Sequence, residues 1–203
     1  MNKKISGYYF ITDSSLSKAG NLRDVLCAAK AGVKIIQYRN KSGSTKELYE
    51  EALRLKSACG KSIFLINDRV DIAFAVDAGG VHLGQDDMPC RTARKILGRN
   101  KIIGVTARNV REAKKARKDG ADYIGVSPVF GTATKSDAGK PVGTGMVRKI
   151  KKAVSVPVVA IGGINLSNAP GVVKAGADGL CAISAVVAKS NPAAEIRKFQ
   201  KLF

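Results

Sequence analysis

The sequence predicts an α/β protein with the fold class of a single (β/α)₈ TIM barrel, and three observations support it. Short runs rich in β-branched residues alternate with longer amphipathic runs about eight times along the 203 residues. The short runs carry apolar residues on both faces rather than at every second position, which is expected of parallel strands covered by helices. The predicted helices also end in small-residue corners that lead directly into the next strand.

The predicted elements follow one another in strict alternation. We expect strands over residues 8–12, 34–38, 62–66, 80–83, 102–106, 123–126, 156–160 and 179–182. We expect helices over residues 22–31, 45–58, 70–77, 92–97, 110–119, 146–153, 168–175 and 192–202. Residues 1–203 then form one domain, because no stretch has the composition of a linker. An open, doubly wound sheet is the alternative, but it usually carries a glycine-rich fingerprint after its first strand, where residues 12–15 have none.

Four corners between helix and strand have a recurrent small-residue composition. They lie at residues 31–33, 77–81, 119–122 and 175–179. At each one we expect a glycine to adopt the left-handed conformation that ends the preceding helix.

The composition excludes several classes of protein. The apolar fraction of 45% is sufficient for a core, and no apolar run approaches the roughly 18 residues of a membrane span. The segment over residues 5–13 is short and polar, which indicates a first strand rather than a signal peptide. We therefore expect a cytoplasmic protein. The four cysteines are scattered, with no CxxC pair, which argues against zinc or redox chemistry and indicates reduced thiols.

The net charge of +19 is the unusual feature of the composition. Such an excess suggests anionic partners, which could be nucleic acid, a membrane surface or phosphorylated metabolites. The basic residues are spread over several predicted helices, however, and aromatic residues make up only 5% of the chain. A stacking platform for bases is therefore not indicated, and we expect no specific nucleic-acid partner and no membrane partner.

Polar and charged residues follow the predicted strands, where a barrel places its active site. Gln37, Arg39 and Lys41 occupy alternate positions near the end of the second strand, so a continuous strand would point all three the same way. Asp68 follows the third strand and Asp87 the fourth. Two carboxylates from neighbouring strands, beside amides and cations, suit a hard cation such as Mg²⁺ that also binds a phosphorylated ligand.

The later strand ends have a different chemistry. The fifth strand ends at Thr106, and a long polar loop over residues 131–137 follows the sixth. Residues 162–164 and Ile183-Ser184 follow the last two strands, where barrels commonly bind a phosphate through backbone N–H groups. A metal site, a cationic clamp and a separate phosphate cradle together predict two phosphorylated ligands, one of them a diphosphate.

In their order along the chain, these segments resemble the thiamine phosphate synthase family. The resemblance covers essentially the whole chain and is carried by Gln37-x-Arg39-x-Lys41, residues 66–71, residues 81–87, Thr132-x-Thr134-Lys135, residues 160–164 and Ile183-Ser184. Single motifs of this kind recur in many phosphate-binding barrels, but the set at these spacings is specific. Three positions depart from the residues usual in the family, with Thr106 in place of Ser, Ser127 in place of Gly and Gly131 in place of Pro.

The resemblance implies a reaction and a set of site residues. A Mg²⁺-dependent enzyme would join 4-amino-2-methyl-5-(diphosphooxymethyl)pyrimidine to a thiazole phosphate and release diphosphate, with Asp68 and Asp87 as metal ligands. The residues implied to bind the pyrimidine and its diphosphate are Gln37, Tyr38, Arg39, Asn40, Lys41, Asn67, Thr106 and Lys135. Those implied for the thiazole phosphate are Thr132, Ala133, Thr134, Gly163, Ile183 and Ser184. Within these sets, the residues expected to act in catalysis are Arg39, Lys41, Thr106 and Lys135.

This reaction requires no protein nucleophile or general base, so we expect no catalytic role for His82, the only histidine. Three other functions are alternatives: a thiazole tautomerase on the same barrel, another phosphate-binding barrel enzyme, and a nucleic-acid-binding protein. The metal carboxylates and the Thr-x-Thr-Lys loop favour the synthase over the tautomerase. Asn67-Asp68 together with Gln85-Asp86-Asp87 favours it over the other barrel enzymes. The sequence leaves the oligomeric state open, with a homodimer as one option.

Overall fold

The protein is a closed barrel of eight parallel strands, seen in a computed structural model that describes residues 5–132, 134 and 139–203. The strands are β1 (Gly7–Ile11), β2 (Ile35–Tyr38), β3 (Ile63–Asn67), β4 (Gly80–Leu83), β5 (Ile102–Ala107), β6 (Tyr123–Val126), β7 (Val158–Ala160) and β8 (Gly179–Leu180). Each strand pairs with the next, and β8 closes the barrel by pairing Gly179 with Gly7 of β1. The predicted (β/α)₈ barrel is therefore confirmed.

Helices connect the strands and surround the barrel. They are α1 (Asn21–Lys30), α2 (Thr45–Ala58), α3 (Val70–Ala75), α4 (Cys90–Leu97), α5 (Val110–Lys118), α6 (Gly143–Ala153), α7 (Ala169–Lys174), α8 (Ser184–Val187) and α9 (Pro192–Gln200). Polar residues fix several of the helix starts. Ser44 and Glu47 form a reciprocal capping box on α2, and the side chain of Asn109 accepts a hydrogen bond from the Glu112 N–H at the start of α5.

Three of the four predicted glycine corners adopt a left-handed backbone. Gly32, Gly120 and Gly176 have φ of 75°, 102° and 97°. The prediction is wrong at the corner after α3, where Asp77 takes the left-handed conformation with φ of 50°. The next glycines serve close approach instead, since a Cβ on Gly80 would lie 1.8 Å from the Ile102 carbonyl oxygen.

The core has two layers, because side chains of a strand point alternately to its two faces. One layer packs between the strands and the helices and includes Phe10 and Ile36. The other fills the barrel interior and consists of Ile5, Tyr9, Ile11, Ile35, Leu65, Tyr123, Val159 and Cys181. Burying one such side chain contributes about 1.5–3 kcal/mol. The apolar interior closes the amino-terminal end of the barrel and leaves the carboxyl-terminal end to polar side chains.

The element bounds differ from the predicted ones mainly near the carboxyl terminus of the chain. Strand β7 begins after Pro157, which lacks the N–H that a ladder requires, and β8 ends at Leu180 rather than at residue 182. The four-residue helix α8 was not predicted. Over the part of the chain that the structure describes, no helix combines the length and apolar character needed to cross a bilayer.

Candidate active site

A pocket opens at the carboxyl-terminal end of the barrel. The predicted site residues that line it are Gln37, Arg39, Asn67, Asp68, Thr106, Thr132, Thr134, Gly163, Ile183 and Ser184. Because all eight strands run parallel, residues far apart in the chain meet here. The structure therefore brings most of the predicted site together at one opening.

Strand β2 supplies the cationic side of the pocket. Gln37 and Arg39 both line it, as their alternation predicts. Arg39 is held by Asp13 from the end of β1, with a distance of 3.0 Å between Arg39 Nη1 and Asp13 Oδ2. The side chains of Arg39 and Asp13 are only 16% and 5% exposed. This nearly buried ion pair fixes the direction in which the guanidinium faces the pocket.

Three predicted residues of the same segment do not line the pocket. Tyr38 lies between Gln37 and Arg39 on the strand, so its side chain points outward and its hydroxyl donates to Glu51 of α2 at 2.5 Å. Asn40 faces a small cavity between the barrel and helices α2 and α3. Lys41 is exposed. The alternation that aligned it with Arg39 ends with the strand at Tyr38, and the chain then bends.

The two predicted metal ligands lie at the ends of β3 and β4. Asp68 lines the pocket with a left-handed backbone, φ of 62°, and its N–H bonds the His82 carbonyl oxygen at 2.8 Å. A non-glycine residue in this conformation is strained and is typical of functional sites. Asp87 accepts a hydrogen bond at Oδ2 from the Gly84 N–H, with 2.6 Å between the two atoms, and Gly84 in turn lines the pocket.

The donor set at this edge suits Mg²⁺ bound together with a phosphorylated ligand. Within residues 5–132, 134 and 139–203, no group of three or more His, Cys, Asp or Glu side chains has the arrangement of a metal site. Protein-bound Mg²⁺ commonly takes only one or two carboxylates and completes its octahedron with water and substrate phosphate. Asp68 at the pocket could supply one such carboxylate, whereas Asp87 does not line the pocket and approaches it only through its bond to Gly84.

A chain of hydrogen bonds crosses the pocket floor. Gln37 Nε2 donates to the Tyr9 hydroxyl at 2.6 Å, and the Tyr9 and Tyr123 hydroxyl oxygens are 3.0 Å apart. The Tyr123 hydroxyl lies 2.8 Å from His82 Nδ1, and His82 Nε2 lies 2.9 Å from Thr106 Oγ1. Burial raises the pKa of Tyr9 and of Tyr123, so both hydroxyls keep their protons at neutral pH.

Three of these floor residues were not identified from the sequence. Tyr9 and Tyr123 lie in apolar runs typical of buried strands, and His82 was given no role. A sequence signal was available for His82, because period-two alternation places its side chain on the same face of β4 as Gly80. Asp13 was also missed, although it directly follows the first strand. Gln85, exposed beside the site, donates to the Thr106 carbonyl oxygen.

The opposite side of the pocket is formed by the loops after β6, β7 and β8. Gly163 has φ of 60°, and a Cβ there would lie 2.3 Å from the Gly131 carbonyl oxygen. Thr132 Oγ1 accepts from the Thr134 N–H at 3.2 Å, and Asn168 Nδ2 donates to the Gly163 carbonyl oxygen at 2.9 Å. This part of the pocket is a backbone-rich cradle of the kind that binds phosphate. Ala133 and Lys135 of the same predicted site lie outside the described residues.

Cys181 also lines the pocket, at its apolar base. Complete burial raises the pKa of the Cys181 thiol well above its ordinary value. The thiol is therefore protonated at neutral pH and is a poor nucleophile.

Comparison with known proteins shows similarity over nearly the whole chain. A family model described as thiamine monophosphate synthase matches residues 8–186. The thiamine-phosphate synthase of Methanosarcina mazei is 54% identical over 193 residues, covering 95% of this chain and 80% of that protein. The thiamine-phosphate synthase of Chloroflexus aurantiacus is 49% identical over 197 residues, covering 96% of this chain and 91% of that protein. The solved structure of thiamine phosphate pyrophosphorylase from Pyrococcus furiosus has a TM-score of 0.90 and 40% identity, covering 98% of this chain and 96% of that one.

Proposed function

This chain belongs to the thiamine monophosphate synthase family, and we propose that it joins 4-amino-2-methyl-5-(diphosphooxymethyl)pyrimidine to a thiazole phosphate, giving thiamine phosphate and diphosphate. Membership makes the chain an enzyme of the transferase class. The observation that carries the specific reaction is the division of one pocket into an acidic and cationic side on β2–β4 and a glycine cradle after β7. Two phosphorylated ligands can therefore face each other across the barrel axis.

Arg39 and Asp68 are proposed to lie at the end of the pocket that binds the diphosphate. Arg39 can donate to a diphosphate oxygen in the orientation that Asp13 imposes. Asp68 and Asp87 would hold Mg²⁺, which when bound neutralises charge on the diphosphate. Lys41 and Lys135 are proposed to add positive charge at the same end. Their support is the family motif, because Lys41 does not line the pocket and Lys135 lies outside the described residues.

The pyrimidine is proposed to lie on the pocket floor. Gln37 is 2% exposed and offers a carboxamide there, while Asn67 and Thr106 border the same space. Below the floor the barrel is closed by Tyr9 and Tyr123. A flat, largely apolar ring with a few polar atoms suits such a surface.

The thiazole phosphate is proposed to bind at the cradle. Gly163 exposes backbone where any side chain would collide with Gly131, and Ser184 and Thr132 add hydroxyl groups. Ile183 supplies an apolar contact for the thiazole ring. The ring nitrogen would then face the pyrimidine across the pocket.

The reaction needs positioning and charge stabilisation rather than a protein nucleophile. The bond from the exocyclic carbon to oxygen breaks, and its electron pair leaves with the diphosphate. The thiazole nitrogen then donates its lone pair to that carbon, which forms the new C–N bond. The amino group on the pyrimidine stabilises the positive charge that develops. Arg39 holds the departing group, and the buried thiol of Cys181 takes no part.

The proposal includes the cytoplasm as the site of action, because phosphorylated substrates do not cross membranes unaided. The test is diphosphate release by purified protein as Mg²⁺ is varied. Asp87→Asn should lower turnover at saturating substrate by about 100-fold and raise the Mg²⁺ concentration needed for half-maximal rate. Asp86→Asn, which changes the exposed neighbouring carboxylate, is the matched control and should behave like the parent protein. Equal activity of the two variants would remove Asp87 from the proposed metal site.

Lys135→Ala tests the part of the proposal that rests on the family motif alone. We expect at least a 100-fold loss of turnover with the fold retained, because one cation would be missing where negative charge develops. The control is Lys140→Ala, which alters an exposed lysine near the end of the same loop. Near-parental rates for Lys135→Ala would refute its catalytic role.

A further inference from the structure

We propose that the hydrogen-bond chain across the pocket floor runs in one direction, from Gln37 to Thr106, with His82 as its Nε2–H tautomer, and that this direction selects a pyrimidine bearing an amino group. The chain, called here the floor relay, consists of Gln37, Tyr9, Tyr123, His82 and Thr106. The proposal about selectivity rests on the proposed function. The proposal about the tautomer stands on the floor relay itself.

The direction begins at Gln37, because an amide nitrogen can donate but cannot accept. Gln37 Nε2 lies 2.6 Å from the Tyr9 oxygen, so it uses a proton on that contact. The Tyr9 hydroxyl keeps its own proton and can direct it only onward, to the Tyr123 oxygen at 3.0 Å. Burial of both phenols keeps them protonated, so neither can serve as a charged end point.

The direction continues through the imidazole. Tyr123 donates its proton to His82 Nδ1 at 2.8 Å, which requires a lone pair on that nitrogen. A neutral imidazole then carries its proton on Nε2 and donates it to Thr106 Oγ1 at 2.9 Å. The Thr106 hydroxyl is left with its proton to donate into the pocket.

The two ends of the floor relay are therefore opposite in character. Gln37 presents Oε1, which receives no hydrogen bond from the residues that the structure describes, and so acts as an acceptor. Thr106 presents a donor. An amino substituent on the pyrimidine donates to Gln37 Oε1, whereas an oxo substituent would place two acceptors against each other. A diphosphate oxygen or ring nitrogen accepts from Thr106.

The surrounding strands leave room for the floor relay. A Cβ on Gly104 would lie 2.0 Å from Tyr123 Cζ, and a Cβ on Gly125 would lie 2.8 Å from His82 Cε1. The His82 and Tyr123 rings stack with centroids 5.5 Å apart. Alanine at either position would displace a ring from the hydrogen-bond chain, so the floor relay requires glycine at both.

The tautomer can be measured without turnover, because His82 is the only histidine in the chain. Long-range ¹H–¹⁵N correlation of uniformly labelled, tag-free protein then gives one set of imidazole signals. We expect a pyridine-type Nδ1 and a pyrrole-type Nε2 in the unliganded protein. The reverse assignment, or an imidazolium signal, would overturn the proposed direction whether or not the protein is a synthase.

Selectivity is tested with the aminopyrimidine diphosphate and its 4-oxo analogue. Tyr123→Phe interrupts the floor relay and frees the Gln37 amide to turn, so the preference for the amino compound should fall about tenfold, the effect of one lost hydrogen bond. Tyr8→Phe is the matched control. Its hydroxyl is also buried and donates to the Ala182 carbonyl oxygen, but it lies outside the floor relay. Its preference should equal that of the parent protein.

Two measures keep this test decisive. Tyr9→Phe interrupts the floor relay one step nearer Gln37 and replaces Tyr123→Phe if that variant does not fold. The ratio of dissociation constants for the two pyrimidines, from calorimetry, replaces the rate ratio if no turnover is detected. An unchanged ratio in a folded Tyr123→Phe or Tyr9→Phe protein would refute the claim that the floor relay sets selectivity.

Discussion

The substitution Asp13→Asn tests whether the orientation of Arg39 depends on its buried partner. The carboxylate of Asp13 accepts from Arg39 Nη1 at 3.0 Å through Oδ2 and from the Ser15 hydroxyl at 2.6 Å through Oδ1. Asparagine can keep the bond to Ser15 with its oxygen. Its amide nitrogen then faces the guanidinium, so two donors meet where an ion pair stood.

The size of the effect follows from the exposure of the pair. With 16% and 5% of the two side chains exposed, the interaction is a partly buried, charge-assisted hydrogen bond, worth about 1.5–3 kcal/mol. Retention of the Ser15 contact reduces the net loss to about 1–2 kcal/mol. For a chain of 203 residues this corresponds to a fall in Tm of roughly 3–6 °C. Loss of the preferred Arg39 orientation should also raise KM for the pyrimidine diphosphate about tenfold.

Calorimetric unfolding and steady-state kinetics measure both effects. The matched control is Asp71→Asn, which removes the carboxylate from the Arg69–Asp71 pair near the same end of the barrel. That pair is 35% and 59% exposed, so its loss should cost at most about 1 kcal/mol and leave KM unchanged. If Asp13→Asn were no worse than Asp71→Asn in KM, the positioning role of Asp13 would be wrong.

Three further predictions concern the cradle, the folding energetics and the thiols. Gly163→Ala should lower kcat/KM for the thiazole phosphate about 100-fold, because its Cβ would lie 2.3 Å from the Gly131 carbonyl oxygen, whereas Gly171→Ala meets no atom within 4 Å and should leave the kinetics unchanged. Asp24→Asn should raise Tm by roughly 2–4 °C at pH 7, because the carboxylate is 2% exposed, burial raises its pKa, and its Oδ2 has no hydrogen-bond partner among the described residues. The Asp24 carboxyl destabilises the folded state in full only above its raised pKa, so the gain in Tm should shrink as the pH falls towards the pKa of the unfolded chain. A gain in Tm that does not change with pH would contradict a buried, ionised Asp24. Iodoacetamide at pH 8 should modify the half-buried Cys27 well before Cys59 and Cys90. The reason is that burial raises the pKa of Cys59 to about 12 and that of Cys90 to about 11. Peptide mass spectrometry measures the order of modification, and any other order would contradict this prediction.

The barrel could be predicted from the sequence because its strands are buried on both faces. Runs such as residues 34–38 and 102–106 place apolar residues on both faces of the strand, and each lies between a helix end and a polar loop. The bounds were less predictable near the carboxyl terminus, where β8 has two paired residues and α8 has only four. Such short elements leave no periodic pattern in the sequence.

The predicted site residues on strands were placed more accurately than those beyond them. Gln37 lies on β2 and Arg39 directly follows its last residue, so both side chains reach the pocket, whereas Tyr38 between them must face outward. Lys41 follows a bend, and period two no longer applies there.

The residues that the sequence reading missed contact one another only in the closed barrel. Tyr9, His82 and Tyr123 lie on β1, β4 and β6, and each has the composition of an ordinary buried strand around it. Asp13 contributes to the site only through its pairing with Arg39, which is 26 positions away in the sequence. A local sequence pattern cannot reveal contacts between residues so far apart in the chain.

The proposed function requires that one pocket couples two phosphorylated substrates. It is tested most directly by mass spectrometry of the products formed by purified protein with both substrates and Mg²⁺. We expect thiamine phosphate and diphosphate in equal amounts, with neither product when one substrate is omitted or a chelator is added. Diphosphate release from the pyrimidine alone, or no thiamine phosphate while both substrates bind, would contradict it.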